Sequence, residues 1–159
     1  MERRQFGSLV LGWMLAALLL PMQASGQARA VDEAGIEREI VARYKSFEGP
    51  SEEQTWAMWE DYFLRSPKIG NLHGSNMELG WDEYRDGSVS YFQTPPEQRA
   101  AVRFDGLEVF VVDERTAWVR GVFVNILGER EMRPLFYDML IKTDEGWRVF
   151  FSYVAPPRS

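Results

Sequence analysis

The second half of the chain contains four long segments rich in β-branched and aromatic residues, and these constrain its fold most strongly. They cover residues 100–112, 116–127, 131–143 and 147–155, with short polar turns between them. Such residues favour strands, and turns this short favour hairpins. We therefore predict four long antiparallel strands in a meander. Stretches that are apolar on both faces, such as Val149–Phe151, indicate that helices cover one side of the sheet and leave the other to a partner subunit.

The segment before these strands has helical periodicity. Apolar residues recur every three or four positions over 32–47, which predicts an amphipathic helix. Residues 51–54 (Ser-Glu-Glu-Gln) match a capping box, in which the serine hydroxyl and the glutamine side chain each bond a free backbone N–H. They predict a second helix whose apolar face extends from Trp56 to Phe63.

A third helix is predicted over 81–92. Between the second and third helices, residues 65–80 are rich in Gly, Asn, Ser and Pro, which is typical of a surface loop, with a short strand possible at 68–73. Helices followed by an antiparallel sheet give the α+β class.

The first thirty residues have the features of a cleavable secretory signal peptide. A basic start is followed by an uncharged apolar run at 9–20, which is shorter than the roughly 18 to 20 residues that a membrane-spanning helix needs. Ala-Arg-Ala at 28–30 suits a signal peptidase, so we expect cleavage after Ala30, with Ala24 and Gly26 as alternatives. An uncleaved membrane anchor is the other interpretation. We expect a periplasmic or secreted protein without a membrane anchor in its mature form.

The composition of the expected mature domain, residues 31–159, excludes several kinds of partner and site. Removing residues 1–30 takes away three arginines and one glutamate, so the net charge falls from −6 to about −8. An acidic domain repels nucleic acid and anionic membrane surfaces. With no cysteine and one histidine, a zinc site is not expected, and there is neither an EF-hand nor a phosphate-binding glycine motif. We therefore expect no metal or nucleotide cofactor.

The order of the elements and two short motifs resemble the nuclear transport factor 2-like (NTF2-like) superfamily. The motifs are Gly80 before the third helix and Gly-Trp-Arg-Val at 146–149 in the last hairpin. Within the superfamily, the chain is similar to the polyketide-cyclase-like (SnoaL-like) small domains over essentially 33–155. The resemblance implies a cone in which a curved sheet of four to six strands wraps around the helices and encloses an apolar pocket, often in a homodimer. Members include isomerases, lyases and hydrolases as well as binding proteins, so the fold leaves the function open.

Asp138 is the strongest candidate for chemistry because it lies in an otherwise apolar strand segment. A carboxyl group in an apolar pocket has a raised pKa and can transfer a proton. If the last hairpin pairs Lys142 with Trp147, Asp138 lies opposite Phe151. The alternative is that Asp138 lies on the outer face or in an ion pair with an arginine.

Tyrosines are the expected partners of Asp138, because their hydroxyls can donate to a developing oxyanion. Tyr153 shares the face of Asp138 in the register above, and Tyr137 takes that place in a register shifted by one residue. Members of the family often have a pocket histidine at the position that Tyr153 occupies here, so a histidine-based role is not carried over.

Arg120 and His73 complete the set of candidate catalytic residues. Arg120 is a cation in the middle of a strand and could bind a substrate carboxylate; the alternative is that it faces solvent or pairs with an acid on a neighbouring strand. His73 is the single histidine of the chain, and it titrates near neutral pH. An exposed loop position without a role is the alternative for it.

For the walls of a ligand site we expect Trp59, Tyr62, Phe136 and Phe151, with simple core packing as the alternative for Trp59. The main functional hypothesis is a protein that binds a small apolar or amphipathic molecule without turnover. The second is a cofactor-independent isomerase, lyase or hydrolase that transfers protons with Asp138 and a tyrosine. The third is a module for dimerisation or assembly.

Overall fold

The computed structural model describes residues 31–156; the expected signal peptide and residues 157–159 lie outside the described part. The helices are α1 (Glu33–Lys45), α2 (Trp56–Trp59) and α3 (Trp81–Phe92), followed by a short 3-10 turn at Pro96–Gln98. The strands are β1 (Gly70–His73), β2 (Asn76–Leu79), β3 (Ala101–Asp113), β4 (Thr116–Leu127), β5 (Arg130–Met132), β6 (Leu135–Thr143) and β7 (Gly146–Val154). No helix within 31–156 is long and apolar enough to span a membrane. The predicted α+β class is confirmed.

All seven strands form one sheet in the order β2-β1-β7-β6-β4-β3, with β5 paired to β4. The four long strands are antiparallel neighbours, as predicted. The third begins at Leu135 and not at residue 131, because residues 130–132 form the separate strand β5. The β1–β2 hairpin extends the sheet, and β1 runs parallel to β7. The expectation of four to six strands is therefore one too low. Local composition does not reveal that the edge of β7 pairs with a segment so distant in sequence.

The second helix is shorter than predicted and begins later. Its N-cap is Thr55, whose hydroxyl accepts a hydrogen bond from the Met58 amide at 3.3 Å, so the predicted capping box is wrong. The chain leaves the helix after one turn because its backbone bonds the edge of β7. The Val149 amide donates to the Tyr62 carbonyl at 2.9 Å, and the Leu64 amide donates to the Val149 carbonyl at 2.8 Å.

A β-bulge in β7 determines which residues of the last hairpin share a face. Near the turn the register is as predicted, but Phe150 has no partner on β6 and the pairing shifts by one residue beyond it. A bulge of this kind adds one residue to one strand of a pair. Asp138 consequently pairs with Ser152, and the expectation that it lies opposite Phe151 is wrong.

The two faces of the hairpin therefore carry different chemistry. Asp138 and Ser152 point toward the helices and are buried. Tyr137 and Tyr153 are paired on the opposite, outer face, where their rings stack with centroids 6.3 Å apart. The expectation that Tyr153 shares the face of Asp138 is wrong, because the bulge reverses the alternation of side chains beyond it.

Helix α1 packs on the inner face of the sheet. Its side chains Ile36, Ile40 and Tyr44 are buried, at the three- to four-residue spacing that the sequence predicted. Glu39 joins the helix to the last hairpin, because its carboxylate accepts hydrogen bonds from Lys142 at 2.7 Å and from the Trp147 indole at 3.1 Å. This packing fixes the position from which Tyr44 reaches into the core.

Candidate functional site

A cavity of about 610 Å³ lies between α3 and the inner face of the sheet. Its walls are mainly apolar and rich in aromatic side chains. They include Trp59, Tyr62, Phe63, Tyr84, Phe92 and Phe123. Polar side chains also line it, and three of them, Ser152, Asn71 and Glu78, lie on neighbouring strands. Apolar walls with a small number of placed polar groups are typical of small-molecule sites.

Asp138 lies behind the cavity, where α1 meets the sheet. Its carboxylate is 0% exposed, and its Oδ2 atom accepts hydrogen bonds from the hydroxyls of Tyr44 and Tyr62, each at 2.6 Å. Tyr44 comes from α1 and Tyr62 from the segment after α2. Asp138 does not itself line the cavity, but two of its neighbours, Tyr62 and Ser152, do.

Burial raises the pKa of Asp138, because desolvation disfavours its charged form. Ser152, Tyr44 and Tyr62 act in the opposite direction by stabilising the carboxylate. The other oxygen, Oδ1, makes no hydrogen bond of normal geometry within the described part of the chain, so the effect of Ser152 is that of a nearby dipole. Burial and then the charge of Asp138 raise the pKa of both tyrosines well above 10, which keeps their hydroxyls as donors.

The structure separates most of the predicted catalytic residues from Asp138. Tyr137 and Tyr153 lie on the outer face of the sheet. Arg120 lies on that face as well, where it forms an exposed ion pair with Glu108 at 2.7 Å. His73, at the end of β1, lines the cavity, and desolvation lowers its pKa.

Three of the four predicted wall residues, Trp59, Tyr62 and Phe136, line the cavity. Phe151 does not, because the bulge places it on the outer face, with its ring against Gly70. Sequence reasoning missed Tyr44 and Asn71 as site residues. Tyr44 has the spacing of an ordinary core residue, and the role of Asn71 depends on the pairing of β1 with β7.

Solved structures identify the fold of the described domain. An NTF2-like protein of unknown function from Shewanella oneidensis has a TM-score of 0.68 and 15% sequence identity over 76% of this chain and 98% of its own. A cystatin-like fold protein from Burkholderia xenovorans has a TM-score of 0.61 and 14% identity over 80% of this chain and 98% of its own. The described domain has the NTF2-like, or cystatin-like, fold.

A third NTF2-like structure, described as a dehydratase by assignment only, comes from Streptomyces avermitilis. It has a TM-score of 0.61 and 11% identity over 79% of this chain and 99% of its own. No family model matches the chain, and no curated protein matches its sequence. At these identities the likeness establishes the NTF2-like fold and no particular chemistry.

The described residues of this NTF2-like domain contain no cluster of three His, Asp or Glu side chains that could hold a metal ion.

Replacing Asp138 with Asn tests the effect of burial on this carboxyl group. Because the folded-state pKa is raised above 3.8, the folded state holds the proton more tightly than the unfolded state. This contribution to stability is present below the unfolded-state pKa and is lost as the pH rises through the folded-state pKa. The Asp138→Asn variant lacks that loss. The free energy of unfolding of the variant minus that of wild type should therefore increase as the pH rises from about 4 to 8, as measured by urea unfolding.

Asp105→Asn is the matched control. Ion pairs with Arg103 and Arg133 lower the pKa of this partly buried carboxylate to about 2, so its contribution is lost only at acidic pH. Its difference from wild type should stay constant between about pH 5 and 8. A constant or decreasing difference for Asp138→Asn would show that burial does not dominate the pKa of Asp138.

Proposed function

We propose that this domain binds a small, mainly apolar molecule in the cavity between α3 and the sheet. The observation that carries the proposal is a cavity of about 610 Å³ whose lining is mainly apolar, with many aromatic side chains and a smaller number of polar ones. Ligand sites commonly enclose roughly 300 to 1,000 Å³ and combine apolar walls with a few orienting polar groups. The size and the lining of this cavity both fit that pattern.

Binding without turnover is favoured because the strongest candidate acid or base is not on the cavity surface. Asp138 is separated from the cavity by Tyr62 and Ser152, and one of its oxygens already accepts two hydrogen bonds. Enzymatic proton transfer is the second candidate. The raised pKa of Asp138 favours it, and a proton would have to pass through the hydroxyl of Ser152 or Tyr62.

Cavity binding is tested with the neutral fluorescent probe N-phenyl-1-naphthylamine. We expect saturable binding of one probe per chain. Ser88→Trp on α3 should weaken that binding at least about tenfold, because Ser88 lines the cavity and an indole would fill it. Ser90→Trp is the matched control, since Ser90 is an exposed residue of the same helix that does not line the cavity. Its affinity should equal that of wild type.

Equal affinity in both tryptophan variants would overturn the proposal. Purified wild-type protein also separates binding from catalysis. If the domain only binds its ligand, a molecule that copurifies with the protein should be recovered unchanged after incubation, as measured by mass spectrometry. Conversion of that molecule by wild type and not by Asp138→Asn would establish the enzymatic candidate instead.

We also propose that a second copy of the chain covers the outer face of the sheet. Phe110 is 49% exposed and Trp118 is 42% exposed, and the two are cross-strand partners on this face. Exposed apolar residues that adjoin one another mark interaction surfaces. A surface of mixed apolar and paired charged groups, such as Arg120 with Glu108, can meet itself across a two-fold axis.

Sedimentation at high micromolar concentration should therefore show a dimer for wild type. Trp118→Glu should give a monomer, because it places a charge in the middle of the apolar surface. Ala42→Glu, on the exposed side of α1, is the control and should remain a dimer. A monomeric wild type, or a dimeric Trp118→Glu variant, would contradict this arrangement.

A further inference from the structure

The described lining of the cavity contains one carboxylate, that of Glu78 on β2. Its Oε2 atom accepts a hydrogen bond at 2.6 Å from Nδ2 of Asn71 on the neighbouring strand β1, which holds the carboxylate in place. The other oxygen, Oε1, accepts no hydrogen bond from a described residue and keeps accessible surface. Part of this negative group is therefore open to a ligand.

Helix α3 leaves Oε1 of Glu78 uncovered because Gly87 lies next to it. A methyl group added at Gly87 would lie 3.1 Å from this oxygen, and Gly87 itself lines the cavity. The backbone of Gly87 is helical without a positive φ, so its conformation does not require glycine. Glycine inside a helix is less stable than alanine. The missing side chain instead keeps space open beside the carboxylate.

No positive charge on the described lining neutralises Glu78. None of the described residues that line the cavity is Lys or Arg. His73 lines it, but desolvation lowers the pKa of His73, so this side chain is mainly neutral at neutral pH. The guanidinium of Arg99 lies against the ring of Phe92, at the end of α3, and is not part of the lining. The space beside Glu78 therefore favours a cation over an anion.

Aromatic rings add to this preference. Tyr84 lines the cavity close to Glu78: burial, and to a smaller extent the charge of Glu78, raises the pKa of its hydroxyl. Trp59, Tyr62 and Phe63 supply further rings. The face of an aromatic ring is negative and attracts cations, and quaternary ammonium groups are recognised in this way.

We infer that the ligand is an organic cation, with an ammonium group beside Glu78 and Gly87 and an apolar body against the aromatic walls. The inference rests on the proposed function because it concerns the same cavity. Recognition is by charge and by ring faces, so the ammonium group needs no N–H donor and can be quaternary. A ligand with a carboxylate at this end would meet Glu78 without a compensating cation.

Three probes of nearly equal shape test the inference: phenyltrimethylammonium, neutral tert-butylbenzene and anionic 2-methyl-2-phenylpropanoate. Their affinities for wild type are measured by displacement of N-phenyl-1-naphthylamine and confirmed by calorimetry. The cation should bind at least about tenfold more tightly than the anion, because attraction and repulsion by a charge a few ångströms away differ by more than that. The neutral probe reports the apolar contacts alone.

Two variants locate the charge that matters. Glu78→Gln, which preserves shape, should reduce the advantage of the cation over the anion to about threefold or less and leave the affinity of tert-butylbenzene unchanged. Glu97→Gln is the matched control, because it removes the same charge from an exposed residue that does not line the cavity. It should keep the full advantage of the cation.

The outcomes separate this inference from the proposed function. If the anion binds as tightly as the cation, or if Glu78→Gln keeps the full advantage of the cation, the inference is wrong while binding of N-phenyl-1-naphthylamine still supports the cavity. An equal loss of that advantage in Glu97→Gln would also overturn it, since net charge would then explain the preference. If neither N-phenyl-1-naphthylamine nor tert-butylbenzene binds to wild type, the proposed function fails.

Discussion

The carboxylate of Asp138 is fully buried where α1 meets the sheet, and the two tyrosine hydroxyls that bind it come from different parts of the chain. A buried charge or polar group is costly unless it is hydrogen-bonded. The contact therefore requires α1 to present Tyr44 and the segment after α2 to present Tyr62 at the same oxygen. Both elements are thereby fixed against the middle of the sheet.

The bulge at Phe150 gives this carboxylate its other neighbours. Because the register shifts there, Ser152 rather than Phe151 faces the helices beside Asp138. The pairing of β1 with β7 then places Asn71 beside Ser152, and both residues line the cavity. The bulge thus places Asp138 and Ser152 on the inner face of the sheet and the stacked tyrosines on its outer face.

Periodicity predicted the elements whose signals are local. The buried face of α1 followed from it, and the four long strands followed from their β-branched and aromatic composition. Asp138 was singled out because a charge in an apolar strand is costly if it faces inward. The bulge at Phe150 was not predictable, since the strand on either side has the same β-forming composition. The role of Asn71 depends on a parallel pairing across some eighty residues of chain, and Tyr44 has the spacing of any core residue.

A double-mutant cycle of unfolding free energies with Tyr44→Phe and Asp138→Leu tests the central contact most directly. In wild type, Tyr44→Phe removes a donor from a buried carboxylate; in the Asp138→Leu background the hydroxyl has already lost its acceptor, so its removal should cost far less. We predict a coupling energy of about 1 to 3 kcal/mol. Tyr84→Phe, at a buried tyrosine without a hydrogen bond to Asp138, should be additive with Asp138→Leu within about 0.5 kcal/mol. Additivity for Tyr44→Phe would contradict the account.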